Sequence, residues 1–433
     1  MAIKALLVIL VVMLVLLFIG IPVAYSFGIS SLAAILMVID LDVAVLTAAQ
    51  RTFVGMSKFS LTAIPFFVLA GNIMNQGGIA KRLVDFVLAI LGKLPGALLV
   101  TNVGTNALFG AISGSASAAA AAVGSMVREG EEEQGYDPAL CAATNAASAP
   151  SGLLIPPSNA LITYSLVSGG TSVAALFMAG YLPGIIWAVC CAVVAVIIAK
   201  KKGYKGTPGK FSWANLGKAT IAAIPSLSLI IVVIGGIIAG IFTATEGSAI
   251  AVVYALILSI CYKNITLKSF WEITVDSAKT SGMIVFLIGV SNILGWVMAF
   301  TQIPQAIADV LLGVTDNQIV ILLIMNVILL ISGTFMDVTP AIMIFTPLFL
   351  PIVKTFGMHP VHFGLILVYN LCIGNITPPV GNTLFVGIKV GKTTLAKVMP
   401  YMLLYYVAIL AGLLLVTYIP AVSMILPQMG GLV

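Results

Sequence analysis

The sequence predicts an all-α polytopic membrane protein built as two homologous repeats with re-entrant hairpins and broken helices. Composition, a twofold internal match, and proline-broken polar stretches inside apolar segments lead to that fold class. Of the 433 residues, 61% are hydrophobic and 8% charged, against about 25% charged in ordinary soluble domains. At about 20 apolar residues per crossing there is room for roughly ten to thirteen membrane-embedded segments. The net charge of +6, from 20 Lys+Arg against 14 Asp+Glu, then reads as basic loops at one membrane face. It does not imply nucleic acid.

Taken in order, the apolar run after Lys4 looks like a secretory leader. However, no small-residue cleavage site follows, and Ile21-Pro22 leads into a second apolar stretch, so a retained first span is expected. Residues 60–74 are short enough for a re-entrant hairpin, and Arg51 and Lys58 before them suit headgroup anchoring. Asp85 and Asp309 fall in the amphipathic stretches LVDFVLAIL and AIADVLLGV, which suit helices along the membrane surface. The charged run Arg128-Glu129-Gly130-Glu131-Glu132-Glu133 reads as a solvated loop, and Glu246 as an interfacial helix-start residue. The five cysteines form no C-x-x-C spacing, and His359 and His362 have no third ligand nearby; neither set is expected to bind a metal.

The longest polar interruption, residues 200–218, clusters Lys200, Lys201, Lys202, Lys205, Lys210 and Lys218 and marks a cytoplasmic face. It also divides the chain near its middle. Ile155-Pro156-Pro157 matches Thr377-Pro378-Pro379 at an offset of 222, which also aligns Gly152 with Gly374 and Gly169 with Gly391. Upstream, Ser113-Gly114-Ser115 matches Ser332-Gly333-Thr334 at an offset of 219, and Gly71 with Asp85 matches Gly295 with Asp309 at 224. The chain is therefore divided into a first repeat at 1–200, a basic cytoplasmic linker at 201–217 and a second repeat at 218–433. Matched Gly/Pro interruptions in two halves point to a transport protein with its binding site at the repeat interface, and an odd number of crossings per half would make the repeats inverted.

A non-helical stretch at bilayer depth survives only where it lines a cavity or holds a ligand. One such stretch, residues 106–125, sets Ser113, Gly114 and Ser115 in a run of alanines. Small-residue helix packing explains such a run as well, but its mate at 331–351 adds Asp337 to Ser332, Gly333 and Thr334. A carboxylate at that depth needs a cation, a proton or a remote basic partner. Hydroxyls, a carboxylate and freed carbonyls suit a hard cation, for which sodium is the candidate. The second matched pair carries Pro156-Pro157 and Pro378-Pro379 with Asn145, Ser148, Ser158 and Asn159 in one half and Thr377, Gly381 and Asn382 in the other. Each half-helix resuming after the prolines would offer its positive N-terminus to an organic anion. ATP-driven pumping lacks its phosphate loop, because Gly387-Ile388-Lys389-Val390-Gly391-Lys392-Thr393 is one residue short between its glycines. No base stands near Ser113 or Ser115, so an enzyme is not expected.

With these segments in view, the chain resembles the large membrane subunit (DctM-like) of tripartite ATP-independent periplasmic (TRAP) transporters. The resemblance rests on AIPFFVLAGNIM (63–74), GAISGSASA (110–118), APSGLLIPPS (149–158), GTFMDVTPA (333–341) and NITPPVGN (375–382), and it extends over essentially the whole chain. It implies a multi-pass symporter of the bacterial inner membrane with an elevator-type motion, coupled to Na⁺ and needing no other cofactor. It implies a small DctQ-like membrane subunit as a separate chain and a periplasmic DctP-like binding protein. The substrate would be an organic acid, sialic acid ahead of a C4-dicarboxylate. The implied sodium positions are Ser113, Gly114, Ser115, Gly152 and Pro156 in the first repeat, and Ser332, Gly333, Thr334, Asp337, Gly374 and Thr377 in the second. Asn145, Ser148, Pro157, Ser158, Asn159, Gly381 and Asn382 are left as substrate-binding candidates. A proton-coupled anion carrier and a passive channel or structural subunit remain the rival readings.

Overall fold

The computed structural model describes residues 2–206, 212–315 and 317–433. Lys210 of the expected linker lies outside the described residues. The first half runs α1 (Ala2–Phe18), α2 (Val23–Ile35), α3 (Leu41–Met56), α4 (Ala63–Gln76), α5 (Ile79–Leu91), α6 (Ala97–Ser113), α7 (Ala116–Glu133), α8 (Pro138–Ser148), α9 (Ser151–Leu154), α10 (Asn159–Val167) and α11 (Val173–Lys202). The second half runs α12 (Trp213–Ile238), α13 (Ala244–Cys261), α14 (Leu267–Phe300), α15 (Ile303–Val314), α16 (Gln318–Gly333), α17 (Val338–Thr355), α18 (Pro360–Gly374), α19 (Asn382–Val390), α20 (Leu395–Tyr418) and α21 (Ala421–Met429). Among the described residues, six helices are long and apolar enough to cross a membrane, and five shorter apolar helices accompany them.

Local chemistry sets the boundaries. Thr243 and Glu246 form a capping box at the start of α13, so Glu246 is the helix-start residue its sequence context suggests. Asp137 and His359 cap α8 and α18, each followed by proline at the first helical position, Pro138 and Pro360, 222 residues apart. Proline costs nothing there, since that N–H has no intrahelical partner anyway. Along α20, Leu403, Val407, Leu410 and Leu414 face outward while Met402, Tyr405, Ile409 and Leu413 are buried. A helix apolar on both faces belongs in lipid, not water.

Several helix starts recur between the two halves. Pro138 opens α8 as Pro360 opens α18, and Val173 opens α11 as Leu395 opens α20, each at a spacing of 222. Asp137, before α8, takes Lys202 Nζ from the end of α11 at 2.7 Å and the Tyr401 hydroxyl from the second turn of α20 at 2.6 Å. The end of α11 thus meets the start of α20, and these equivalent helices run in opposite directions. The repeats are inverted.

Glycines seat each hairpin on its own broken helix. A Cβ on Gly152 would fall within 3.0 Å of the Gly110 backbone, and one on Gly374 within 3.0 Å of the Gly333 backbone. These contacts cross α6 to α9 and α16 to α18. The halves then interlock, with α7 packing on α19 and α17 on α10. Tyr164 of α10 donates to the Pro360 carbonyl at 2.6 Å, and α19 ends against the start of α8. Separately, α2, α3, α4, α13 and α14 pack on one another.

Residues 60–74 fall in the second limb of a helix pair bent by 59° after α3, at the polar Ser57-Lys58 junction, a bend that suits a re-entrant segment as well as a broken span. Two local expectations change. The run 128–133 is no solvated loop. It is the last turns of α7, with Glu131 only 5% exposed, since the alanine-rich face of α7 carries it against α8. The upstream match at an offset of 219 shifts to 222, because Ser115 and Asp337 are the equivalent caps of α7 and α17.

Two outcomes follow from this packing. Gly152→Val and Gly374→Val are each expected to cost about 1–3 kcal/mol or more through overpacking, read as a lower apparent melting temperature in detergent, while Gly217→Ala, with open space around it, leaves the melt unchanged or slightly raised. Burial pushes the Asp137 carboxyl up, but Lys202, Tyr401 and the Ala139 N–H outweigh it and hold it at about 2 against an ordinary 3.8. A depressed carboxyl contributes stability above its free-chain value. Wild-type stability should therefore fall as the pH drops from 3.8 through about 2, and Asp137→Ala should lose about 1–2 kcal/mol at neutral pH from the cap and a part-exposed ion pair.

Candidate functional site

The hairpin tips are built from small residues that let the chain turn inside the molecule. At the first tip, α6 ends at Ser113, Gly114 adopts a left-handed φ of +63°, and Ser115 turns extended to cap α7. Its hydroxyl accepts the Ala118 N–H at 3.3 Å. At the second tip, Asp337 Oδ1 accepts the Val338 N–H at 2.8 Å and caps α17. Broken helices meet both tips: Asn159 Nδ2 donates to the Gly114 carbonyl at 3.5 Å, and Val380 N–H to the Thr334 carbonyl at 3.3 Å.

These pieces enclose a cavity of about 280 Å³. Hairpin and broken-helix residues form one wall, with Ser113, Gly114, Ser115, Asn159, Asp337 and Asn375 among them. Val68 and Asn72 of α4 and Thr280 and Ile284 of α14 form the other. The cavity therefore lies between the interlocked hairpin body and the outer helices. Gly152 and Gly374 sit just behind it as the glycine contacts already described, next to the lining residues Leu153 and Asn375.

Several sequence candidates stand elsewhere. Ser332, Gly333, Thr334 and Thr377 support the second tip without lining the cavity, and Pro156 is buried behind it. Ser158 is fully buried as the cap of α10, where its hydroxyl accepts the Leu161 N–H at 3.3 Å and donates to the Leu153 carbonyl. Pro157 lines a small apolar pocket with Phe67 and Leu229. Gly381 and Asn382 form the start of α19 beside Asn375, whose backbone carbonyl accepts the Thr383 N–H at 3.1 Å. Asn145 and Ser148 face a buried network instead, in which Asn106 Nδ2 donates to Asn102, Asn145 and Ser148 at 2.7, 3.0 and 2.9 Å.

Sequence reasoning passed over Asn72, Thr280 and Asn375 as wall residues. Asn72 was detectable as a lone amide in an apolar helix; it donates to Ser277 of α14 at 2.8 Å. Thr280 carried no signal, because only packing turns that face of α14 inward.

The electrostatics of the wall follow from its ends. Ala116, Ser117 and Ala118 of α7, Asn159 and Ala160 of α10, and Val338 and Thr339 of α17 all line it. Three helix N-termini thus present their positive ends to one space, a setting for an anion. Asp337 opposes them with a carboxylate, and among the described residues the lining contains no Lys or Arg. Carboxylate, hydroxyl, amide and carbonyl oxygens together make a donor set for a hard cation. A cation and an organic anion can therefore share this cavity with mutual charge compensation.

The match to known proteins agrees with this architecture. Residues 10–422 match the model of the tripartite ATP-independent periplasmic transporter, DctM component. The chain belongs to this family. As a DctM component it is the large permease subunit of a secondary transporter, not an enzyme, and it is a multi-pass membrane protein.

Relatives of this DctM component include YgiK of Salmonella typhimurium, 48% identical over 96% of this chain and 95% of that one. The isethionate TRAP transporter permease protein DctMQ of Oleidesulfovibrio alaskensis is 39% identical, and the match spans 94% of this chain and 64% of that longer protein. The sialic acid TRAP transporter large permease protein SiaM of Vibrio cholerae is 35% identical over 96% of each chain. In fold, the DctM component is similar to the YdaH transporter of Alcanivorax borkumensis, whose crystal structure has an unusual topology; the TM-score is 0.58 at 15% identity over 85% of this chain and 88% of that one. Ser158→Ala removes the cap of α10 and strands a buried carbonyl. It is expected to cost about 1–2 kcal/mol, measured as a lower melting temperature of the purified protein.

Proposed function

We propose that this permease couples sodium entry to uptake of a small organic acid across the bacterial inner membrane. The arrangement that carries the reading is the single cavity where three helix N-termini face the carboxylate of Asp337. Sodium at the tips, held by Asp337 and by oxygens around Ser113, Ser115 and Asn375, supplies the positive charge that a lone carboxylate at this depth requires. It also orders the broken segments so that the anion meets preformed helix ends. Binding in that sequence makes uptake depend on both solutes, since each offsets the desolvation of the other.

The elevator reading is supported by the division between the interlocked hairpins and the outer helices, with the cavity on the boundary. Sliding of one body against the other would carry the cavity from one face to the other. The tripartite family description supports a small membrane subunit and a periplasmic binding protein that delivers substrate; the DctMQ relative supports the first of these. Relatives named for isethionate, sialic acid and C4-dicarboxylate support an organic acid as the substrate, with sialic acid the first to test.

Reconstitution of the permease with its small subunit and binding protein tests the coupling. Uptake from a carboxylate and sulfonate panel should fall on the order of tenfold to a hundredfold when sodium is replaced by choline, and Asp337→Asn should remove the sodium dependence. Equal uptake in choline defeats sodium coupling, and uptake driven by a pH jump without sodium establishes the proton-coupled alternative. Failure to accumulate substrate against its gradient would point to a passive pore.

A further inference from the structure

On the face carrying Lys200, Lys201 and Lys202, a second polar site is enclosed by α7, α8 and α19. Its centre is Glu131, 5% exposed, with Oε1 lacking any hydrogen-bond partner. The adjoining pocket of about 20 Å³ is lined by Arg128, Tyr136, Cys141, Asn145 and Val390 among others, room for about one water. The Tyr136 hydroxyl and Asn102 Nδ2 are also buried there without partners. Arg128 is committed elsewhere: Nε donates to Glu132 at 2.6 Å and Nη1 to the Val390 carbonyl at 3.0 Å.

Packing alone does not call for a carboxyl at this position. At the same offset of 222, the second repeat places Val353 where the first has Glu131, Met358 for Tyr136, Phe363 for Cys141, Leu367 for Asn145 and Ile324 for Asn102. Val353, Phe363 and Leu367 are at most 1% exposed, so an apolar filling completes the equivalent junction of α17 and α18. An ionised, unpaired carboxylate in the same setting is strongly disfavoured, whereas the neutral acid needs only one acceptor for its proton.

We propose that Glu131 is a proton-binding site on the basic face of the hairpin body, separate from the central cavity and occupied when α19 is closed on α7. The groups facing it are Arg128 and Glu132 from α7, Tyr136 from the following loop and Cys141 from α8. Tyr405 of α20 lies behind it, hydrogen-bonded to Thr144 at 2.6 Å. Tyr204, after α11, stacks on Tyr136 at 4.3 Å, and beyond Cys141 stands Asp137 with its partner Lys202. From α19 the pocket meets Gly387, Val390 and Gly391, none of them titratable. Burial raises the Glu131 carboxyl most, the Cys141 thiol lowers it and Glu132 raises it again, leaving it at about 7 against an ordinary 4.5. Losing the proton puts an unpaired charge beside Val390 and loosens α19. At its other end, α19 carries Thr383, whose hydroxyl lies 3.4 Å from that of the cavity residue Ser117. One nine-residue helix therefore joins the proton site to the central cavity.

The test uses the purified full chain in nanodiscs and needs no transport assay, so it stands or falls apart from sodium coupling. A raised carboxyl pKa contributes stability fully below the free-chain value of 4.5 and loses it progressively up to about 7. Across that window the apparent melting temperature of Glu131→Gln, a permanent neutral mimic, should rise relative to that of wild type, since the other titrating groups are common to both. The difference corresponds to roughly a hundredfold in the folding equilibrium above neutrality. The same slope in Glu131→Gln overturns the proposal, as does a variant less stable than wild type at pH 5, which would mean an ionised carboxylate paired with Arg128. Stabilisation by sodium at pH 8 that Glu131→Gln abolishes also overturns it, in favour of a cation site. Should Glu131→Gln not fold, infrared titration of Asp337→Asn decides: a protonated-carboxyl band lost near neutral pH supports the proton site, and its absence above pH 5 refutes it.

Discussion

Backbone that leaves helical geometry within an apolar solvent must find its hydrogen-bond partners in the same chain, and the structure is organised around meeting that demand four times. Each hairpin tip is closed by its own broken helix, through Asn159 to the Gly114 carbonyl and Val380 to the Thr334 carbonyl. Such bonds form only if the segments approach to backbone contact. Gly110 against Gly152 and Gly333 against Gly374 permit it. Side chains at those four positions would hold the tips away from the broken helices and leave carbonyls unpaired at bilayer depth.

Once the tips are held, their charge properties follow. Helix ends are positive at the N-terminus whatever their sequence, and the inverted arrangement turns three of them toward one cavity. Asp337 is the exception among the caps facing it, since the equivalent residue in the first repeat is the neutral Ser115. The inverted frame is thus nearly symmetric while its chemistry is not. One tip carries a carboxylate and the other neutral oxygens, with helix N-termini at both.

The same contrast recurs at the basic face. Tyr401, Asp137 and Lys202 tie α20, α8 and α11 together there, and at the opposite end of the molecule His362 Nδ1 and Ser423 Oγ make the matching closure at 2.5 Å. A charged cluster suits an end facing water and basic loops. A neutral His–Ser pair serves at the other. Glu131 adds a buried acid to only one of these ends, which gives the interlocked hairpins a polarity across the membrane that the repeat itself lacks.

Much of this was legible in the chain. Lipid as solvent, two repeats about the Lys200–Lys202 cluster, the Pro-Pro breaks and the intramembrane Asp337 all follow from residue types and spacing, because each reflects a local rule: apolar length, backbone donors removed by proline, or the cost of a lone carboxylate. Packing decided what spacing cannot encode. The register of the hairpin match moved from 219 to 222 because the caps Ser115 and Asp337, not the repeated Ser-Gly pattern, align α7 with α17. Asn145 and Ser148 turned into a buried amide network, while Asn72 and Thr280 turned toward the cavity, since the face a helix presents depends on neighbours distant in sequence. The charged run at 128–133 shows the limit most plainly: five ionisable residues in six positions read as solvent-facing, yet the fold closes α8 and α19 over Glu131, and only that enclosure gives its carboxyl a role.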